Sequence, residues 1–152
     1  MSKPNLVPTK TNTPTLESQQ YIIAIGASAG GLQEVNSFFD YTPLDGVSYV
    51  IIQHLSADYK SVMSSLLARH SKLEVCEAED SMPVEKNKVY LIPSKNYMTI
   101  HEGRLLLTDK HKTGTPHLTI NTFFNSLALD IGNKAIGVIL SGTGSDGTKG
   151  IE

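Results

Sequence analysis

Cysteine, an excess of either charge and long apolar runs are all scarce in this chain, and each scarcity closes off a class of function. Cysteine occurs once, at Cys76, so no intrachain disulfide can form, and its setting in residues 73–77 reads as a strand position in a reducing compartment. Neither sign of charge dominates. The 13 Lys and Arg against 15 Asp and Glu leave a formal −2, without the basic excess that a nucleic-acid surface needs. No uninterrupted apolar run is long enough to cross a bilayer. Residues 1–20 hold neither an aromatic residue nor the continuous apolar segment of a signal sequence. These absences predict a cytoplasmic protein with no membrane insertion and no nucleic-acid partner. No His, Cys or carboxylate spacing marks a metal site, and nothing asks for a cofactor.

What is present is enough for one domain. A compact chain of 152 residues buries roughly two thirds of the surface its unfolded form exposes, and 39% apolar with 18% charged residues is the balance of a globular protein. The first twenty residues differ in kind, with Pro4, Pro8 and Pro14 among polar residues, and are expected to be a disordered tail or linker. The folded domain is expected over residues 21–152.

Within that domain, short apolar runs alternate with helical patterns. Residues 21–25 read as a strand buried on both faces, followed by Leu32, Val35, Phe38 and Phe39 at helical spacing. Residues 47–53 repeat the theme with β-branched residues, followed by a helix over 56–69 that Ser56 or Asp58 would cap. Further strands are predicted at 73–77 and 88–92, then a hairpin, 97–101 with 104–108, turning at Glu102 and Gly103 and added to the main sheet. Thr119 is expected to cap a helix carrying Ile120, Phe123, Phe124, Leu127 and Ile131 and stopped by Gly132. A last strand is predicted at 134–141. The pattern defines an α/β fold: a three-layer α/β/α arrangement with a mostly parallel, doubly wound sheet and an added β-hairpin. Residues 144–150 lead into what reads as another helix, so the chain is expected to be a fragment of a longer protein.

In a parallel sheet the carboxyl ends of the strands share one edge, where loops build a site. Ser28 follows the first strand between Gly26 and Gly30, glycines that permit a sharp turn presenting the hydroxyl over a helix N-terminus. His54 follows the second strand, and Asp146 lies in the glycine-rich loop after the last. A serine hydroxyl needs a base to become a nucleophile, and an imidazole acting as base needs a carboxylate to hold its tautomer. Each residue also has a plainer use. The Ser28 turn is open to reading as a phosphate cradle, although serine occupies a fingerprint glycine position and no Walker Lys-Ser/Thr follows. His54 would then be an ordinary strand-end histidine, as His70, His101, His111 and His117 are taken to be, and Asp146 a turn residue before Gly147. The coincidence of all three tips the balance toward nucleophile, base and acid. Ser141 and Ser145 are expected to support the loop, and Asp58, Glu77, Glu79 and Asp80 to be solvated cap or loop charges.

Residues 25–31 (Ile-Gly-Ala-Ser-Ala-Gly-Gly), Gln53-His54 and residues 141–147 (Ser-Gly-Thr-Gly-Ser-Asp-Gly) resemble the catalytic motifs of the CheB protein-glutamate methylesterase family of bacterial chemotaxis. The resemblance runs from residue 21 to residue 152, in the order Ser, His, Asp rather than the Ser, Asp, His of α/β-hydrolases. It implies Ser28 as nucleophile, His54 as general base and then acid, and Asp146 as its orienting carboxylate. Backbone amides at Ala29 and Thr143 would bind the oxyanion. The implied substrates are glutamyl methyl esters on methyl-accepting chemotaxis receptors, with glutamine deamidation as a second activity. Two departures accompany it. Residues 1–20 cannot form the receiver domain of stand-alone CheB, and residues 116–124, together with Thr143 in place of a methionine, resemble the esterase module of fusions that contain a CheR-type methyltransferase. The family's domain also continues past residue 152. The alternative is a non-catalytic sensory or docking module of such a fusion.

Overall fold

A computed structural model describes residues 20–27, 31–53, 57–114, 118–140 and 146–152. Its centre is a parallel sheet. Strand β1 (Ile22–Ala27) leads into α1 (Leu32–Phe39), and β2 (Ser48–Gln53) precedes α2 (Ala57–His70). After β3 (Glu74–Glu77), the two-residue β4 (Met82–Pro83) and β5 (Lys88–Leu91) come β6 (Asn96–His101) and β7 (Arg104–Asp109). The chain closes with α3 (Thr119–Ile131), β8 (Ala135–Leu140) and the single turn α4 (Thr148–Ile151).

The five-stranded sheet has the order β3-β5-β2-β1-β8, with every pairing parallel. From β1 the chain winds outward one way through β2, and β8 returns to the other side of β1. The doubly wound expectation is met, and the reversal falls beside β1, where open α/β sheets place their sites.

Side-chain alternation along the strands supplies two cores. One face carries Ile25, Ala27, Tyr49, Ile51, Val89 and Leu91 and packs against Val35 and Phe39 of α1 and Met63 and Leu67 of α2. The opposite face carries Ala24, Val50, Ile52 and Tyr90 and packs against Ile120, Phe123, Phe124 and Leu127 of α3. These helical positions repeat every three to four residues, as an apolar helical stripe requires. Phe39 stacks edge-on against Tyr49 with ring centroids 5.2 Å apart, fixing α1 on the sheet.

The predicted hairpin is present, but it does not extend the central sheet. Strands β6 and β7 pair antiparallel, and β4 pairs with β7, so the three form a separate sheet in the order β4-β7-β6. Met98, Ile100 and Leu105 join it to the α3 core. Glu102 and Gly103 both adopt positive φ, 48° and 71°, as a two-residue hairpin turn demands. The Asp130 carboxylate near the end of α3 accepts from both of their N–H groups, at 2.6 and 3.0 Å. Gly132 ends α3 as expected, at φ 56°.

Thr119 does not cap α3. It is the first helical residue, and the N-cap position falls on Leu118, whose side chain has no oxygen to accept a bond. The missing cap comes from elsewhere in the chain.

Candidate active site

Strand register places the carboxyl edge. Ala27, the last residue of β1, pairs with Gln53, the last of β2, and with Leu140, the last of β8. Three neighbouring strands therefore end in one row, spaced about 4.8 Å apart as hydrogen-bonded strands are. Ser28 is the next residue after Ala27, His54 the next after Gln53, and Asp146 the sixth after Leu140. Ser28, Ala29, His54 and Thr143 lie outside the described residues, as do Gly30, Ser56, His117, Ser141 and Ser145. Asp146 is described.

The half-buried Asp146 carboxylate meets the N-terminus of α3. Its Oδ2 accepts from the Ile120 N–H and its Oδ1 from the Asn121 N–H, both at 3.0 Å. The first N–H groups of a helix have no partner within it, and they point along the positive end of the helix dipole. An acceptor there is worth about 1 kcal/mol to the helix. The carboxylate bonds two adjacent donors at once, so its position relative to α3 is set in two places. Asp146 is a turn residue before glycine, as the plainer reading has it, and its bonds to α3 add a tertiary role.

Ile120 then sets α3 against β1. A Cβ placed on Gly26 would lie 2.7 Å from Ile120 Cγ2, and one placed on Gly147 would lie 2.8 Å from the same methyl. One side chain, itself 3% exposed, is thus wedged between the glycine two residues before Ser28 and the glycine next to Asp146. This changes the reason for Gly26. It was read as a turn residue, but it is a residue of β1 without positive φ, and what it permits is the close approach of α3. Gly147 has both constraints, a φ of 93° and the contact with Ile120, so any side chain there would be strained and crowded.

Other charges fall into structural uses. Asp80 Oδ1 accepts from the Leu107 N–H at 2.9 Å, tying the β3 to β4 connection to the hairpin. His70, at the end of α2, pairs with Asp40, which follows α1, at 2.6 Å. Cys76 is half-buried in β3, where burial pushes its thiol pKa up and away from reactivity. Sequence reasoning missed Ile120 and Asn121 as site-building residues, since Ile120 was assigned to the helix core and Asn121 to nothing. The signal that was available is a polar asparagine beside Ile120 at the start of an otherwise apolar helical pattern.

Three parallel strand ends in register beside the reversal of strand order form the carboxyl edge at which an open α/β fold builds a site. The chain belongs to the CheB methylesterase family, whose model matches residues 23–152. It is similar to a protein-glutamate methylesterase/protein-glutamine glutaminase of Xanthomonas campestris, with 33% identity over 134 residues, covering 86% of this chain and 37% of the relative. The corresponding enzyme of Saccharophagus degradans is 30% identical over 136 residues, covering 87% of this chain and 39% of that protein. An uncharacterised 104.1 kDa protein of Rhodobacter capsulatus is 45% identical over 89 residues, 59% of this chain and 9% of that protein. The crystal structure of the Thermotoga maritima CheB methylesterase catalytic domain superposes with a TM-score of 0.73 at 28% identity, covering 86% of this chain and 72% of that one. The chain thus spans less than two fifths of the length of these two named methylesterases. Among the described residues, no helix is long and apolar enough to cross a membrane.

Proposed function

We propose that this chain is the esterase portion of a cytoplasmic enzyme that hydrolyses glutamyl methyl esters on methyl-accepting chemotaxis receptors, with glutamine deamidation as a second activity. The observation that carries the reading is the row of Ala27, Gln53 and Leu140 at the carboxyl edge, together with the Asp146 carboxylate anchored on α3. The names of the relatives supply the substrate class.

In this mechanism the Ser28 Oγ attacks the ester carbonyl carbon while His54 takes the hydroxyl proton, giving a tetrahedral oxyanion. Backbone N–H groups of Ala29 and Thr143 are assigned to that oxyanion, where preorganised donors act most strongly. The carbon–oxygen bond to the methoxy group breaks, His54 returns the proton, and methanol leaves. Water, deprotonated by the same imidazole, attacks the acyl-enzyme and releases the glutamate with Ser28 restored. Asp146 holds the imidazole in the tautomer that accepts from Ser28 and stabilises its charged form. For glutamine the leaving group is ammonia and the remaining steps are the same.

A CheR-type methyltransferase in the parent protein is the partner that fits. In support, part of this chain resembles 9% of a 104.1 kDa protein, a module within a much longer polypeptide. The test is release of methanol from methylated receptor. Ser28→Ala should lower the rate by at least about 10³-fold; equal release from both proteins would remove the proposed nucleophile, and release from neither would favour a non-catalytic docking module.

A further inference from the structure

Asn121 bonds in two directions. Its backbone N–H donates to Asp146 Oδ1 at 3.0 Å, while its side-chain Oδ1 accepts from the backbone N–H of Gly150 at 2.8 Å. Only three residues separate Asp146 from Gly150, so one residue of α3 grips both ends of the stretch 146–150. The side chain is in a costly place. Asn121 is 8% exposed, and a buried amide is unfavourable unless its polar atoms are used. Gly150 is also shaped for this contact. A Cβ there would lie 2.8 Å from Phe124 Cβ and 3.1 Å from both Asn121 Cα and Asn121 Oδ1, so the close approach that permits the bond excludes any side chain.

The two bonds differ in what they need. The bond to Asp146 uses the backbone and survives any substitution that keeps α3. The bond to Gly150 uses the side chain. Without it, the hydrogen bonds described between the 146–150 stretch and α3 are those of the Asp146 carboxylate alone.

We propose that Asn121 is a positioning residue for Asp146, its side chain locking the 146–150 stretch so that the carboxylate keeps one orientation. The proposal rests on the reading of Asp146 as the partner of His54. Asn121 is not assigned to the substrate, so its loss should appear in kcat and leave KM nearly unchanged.

The experiment compares wild type, Asp146→Asn, Asn121→Ala and Asn121→Asp in the full chain. It uses methanol release from methylated receptor, thermal unfolding, and the downfield proton resonance of an imidazole N–H bonded to a carboxylate. Asn121→Ala should lower kcat by about 10- to 100-fold, as misplacement of a reacting group does, and should broaden or abolish the resonance. Asn121→Asp, which keeps an oxygen for the Gly150 N–H, should recover most of both. Should Asn121→Ala fail to fold, Asn121→Ser, which shortens the polar group instead of removing it, is read in the same way.

If Asp146→Asn abolishes activity and resonance while Asn121→Ala changes only the melting temperature, the positioning role is overturned and the triad stands. If Asp146→Asn leaves both intact, the triad reading fails and takes this proposal with it. A wild-type chain with neither activity nor resonance overturns both.

Discussion

Strands β1 and β8 are six-residue apolar runs with a glycine in each, they pair in parallel along their whole length, and their surroundings differ sharply. In β1 only Ile23 is less than fully buried, whereas no residue of β8 is buried and Ile136 is 41% exposed. The cause is position. β1 has hydrogen-bonded neighbours on both sides and helices over both faces, while β8 has β1 on one side and, among the described residues, no strand on the other. Apolar composition states a capacity for burial, and sheet order determines how much of it is used.

That difference has measurable consequences. The largest is expected for Ile25→Ala, at a fully buried β1 position, which should cost about 2–5 kcal/mol in urea unfolding. Gly26→Ala on β1 forces Ile120 aside and should cost about 1–3 kcal/mol. Its β8 counterpart, Gly137→Ala, meets the ring edge of Phe124 at 3.2 Å, a looser approach than the 2.7 Å at Gly26, and should cost less than about 1 kcal/mol. A Gly137→Ala loss as large as that of Gly26→Ala would show the two strands to be equally confined. Ile136→Ala should change stability by no more than about 0.5 kcal/mol, as surface substitutions do, and a loss near that of Ile25→Ala would mean that the β8 edge is covered in solution. The smallest effect concerns the opposite edge. Cys76 in β3 should react with alkylating reagents more slowly at neutral pH than an unhindered thiol, because burial raises its pKa and lowers its thiolate fraction. Rates of thiol labelling in folded and denatured chain check this directly.

Much of the fold was legible because its signals are local. The β-branched run at 47–53 and the three-to-four spacing of Ile120, Phe123, Phe124 and Leu127 depend on neighbours within one turn or two strand residues. The Glu102-Gly103 turn was legible for the same reason, since Gly103 between two alternating runs marks a two-residue hairpin turn, although Glu102 is an uncommon residue at its φ of 48°. The hairpin's partner was not. Met82–Pro83 is too short to carry an alternation, and its pairing with β7 is visible only in the folded chain. The cap of α3 was missed because it comes from Asp146, 26 residues beyond the amide it accepts from.

Strand endings, and with them the assignment of Ser28, His54 and Asp146 to one edge, follow from short-range patterning that any parallel arrangement of these strands would preserve. The bond from Asp146 to α3, the seat of Ile120 between Gly26 and Gly147, and the exposure of β8 have no such local signature. They join residues far apart in the chain, and they exist only because the winding order brings β8 back beside β1 and lays α3 over the sheet face they share.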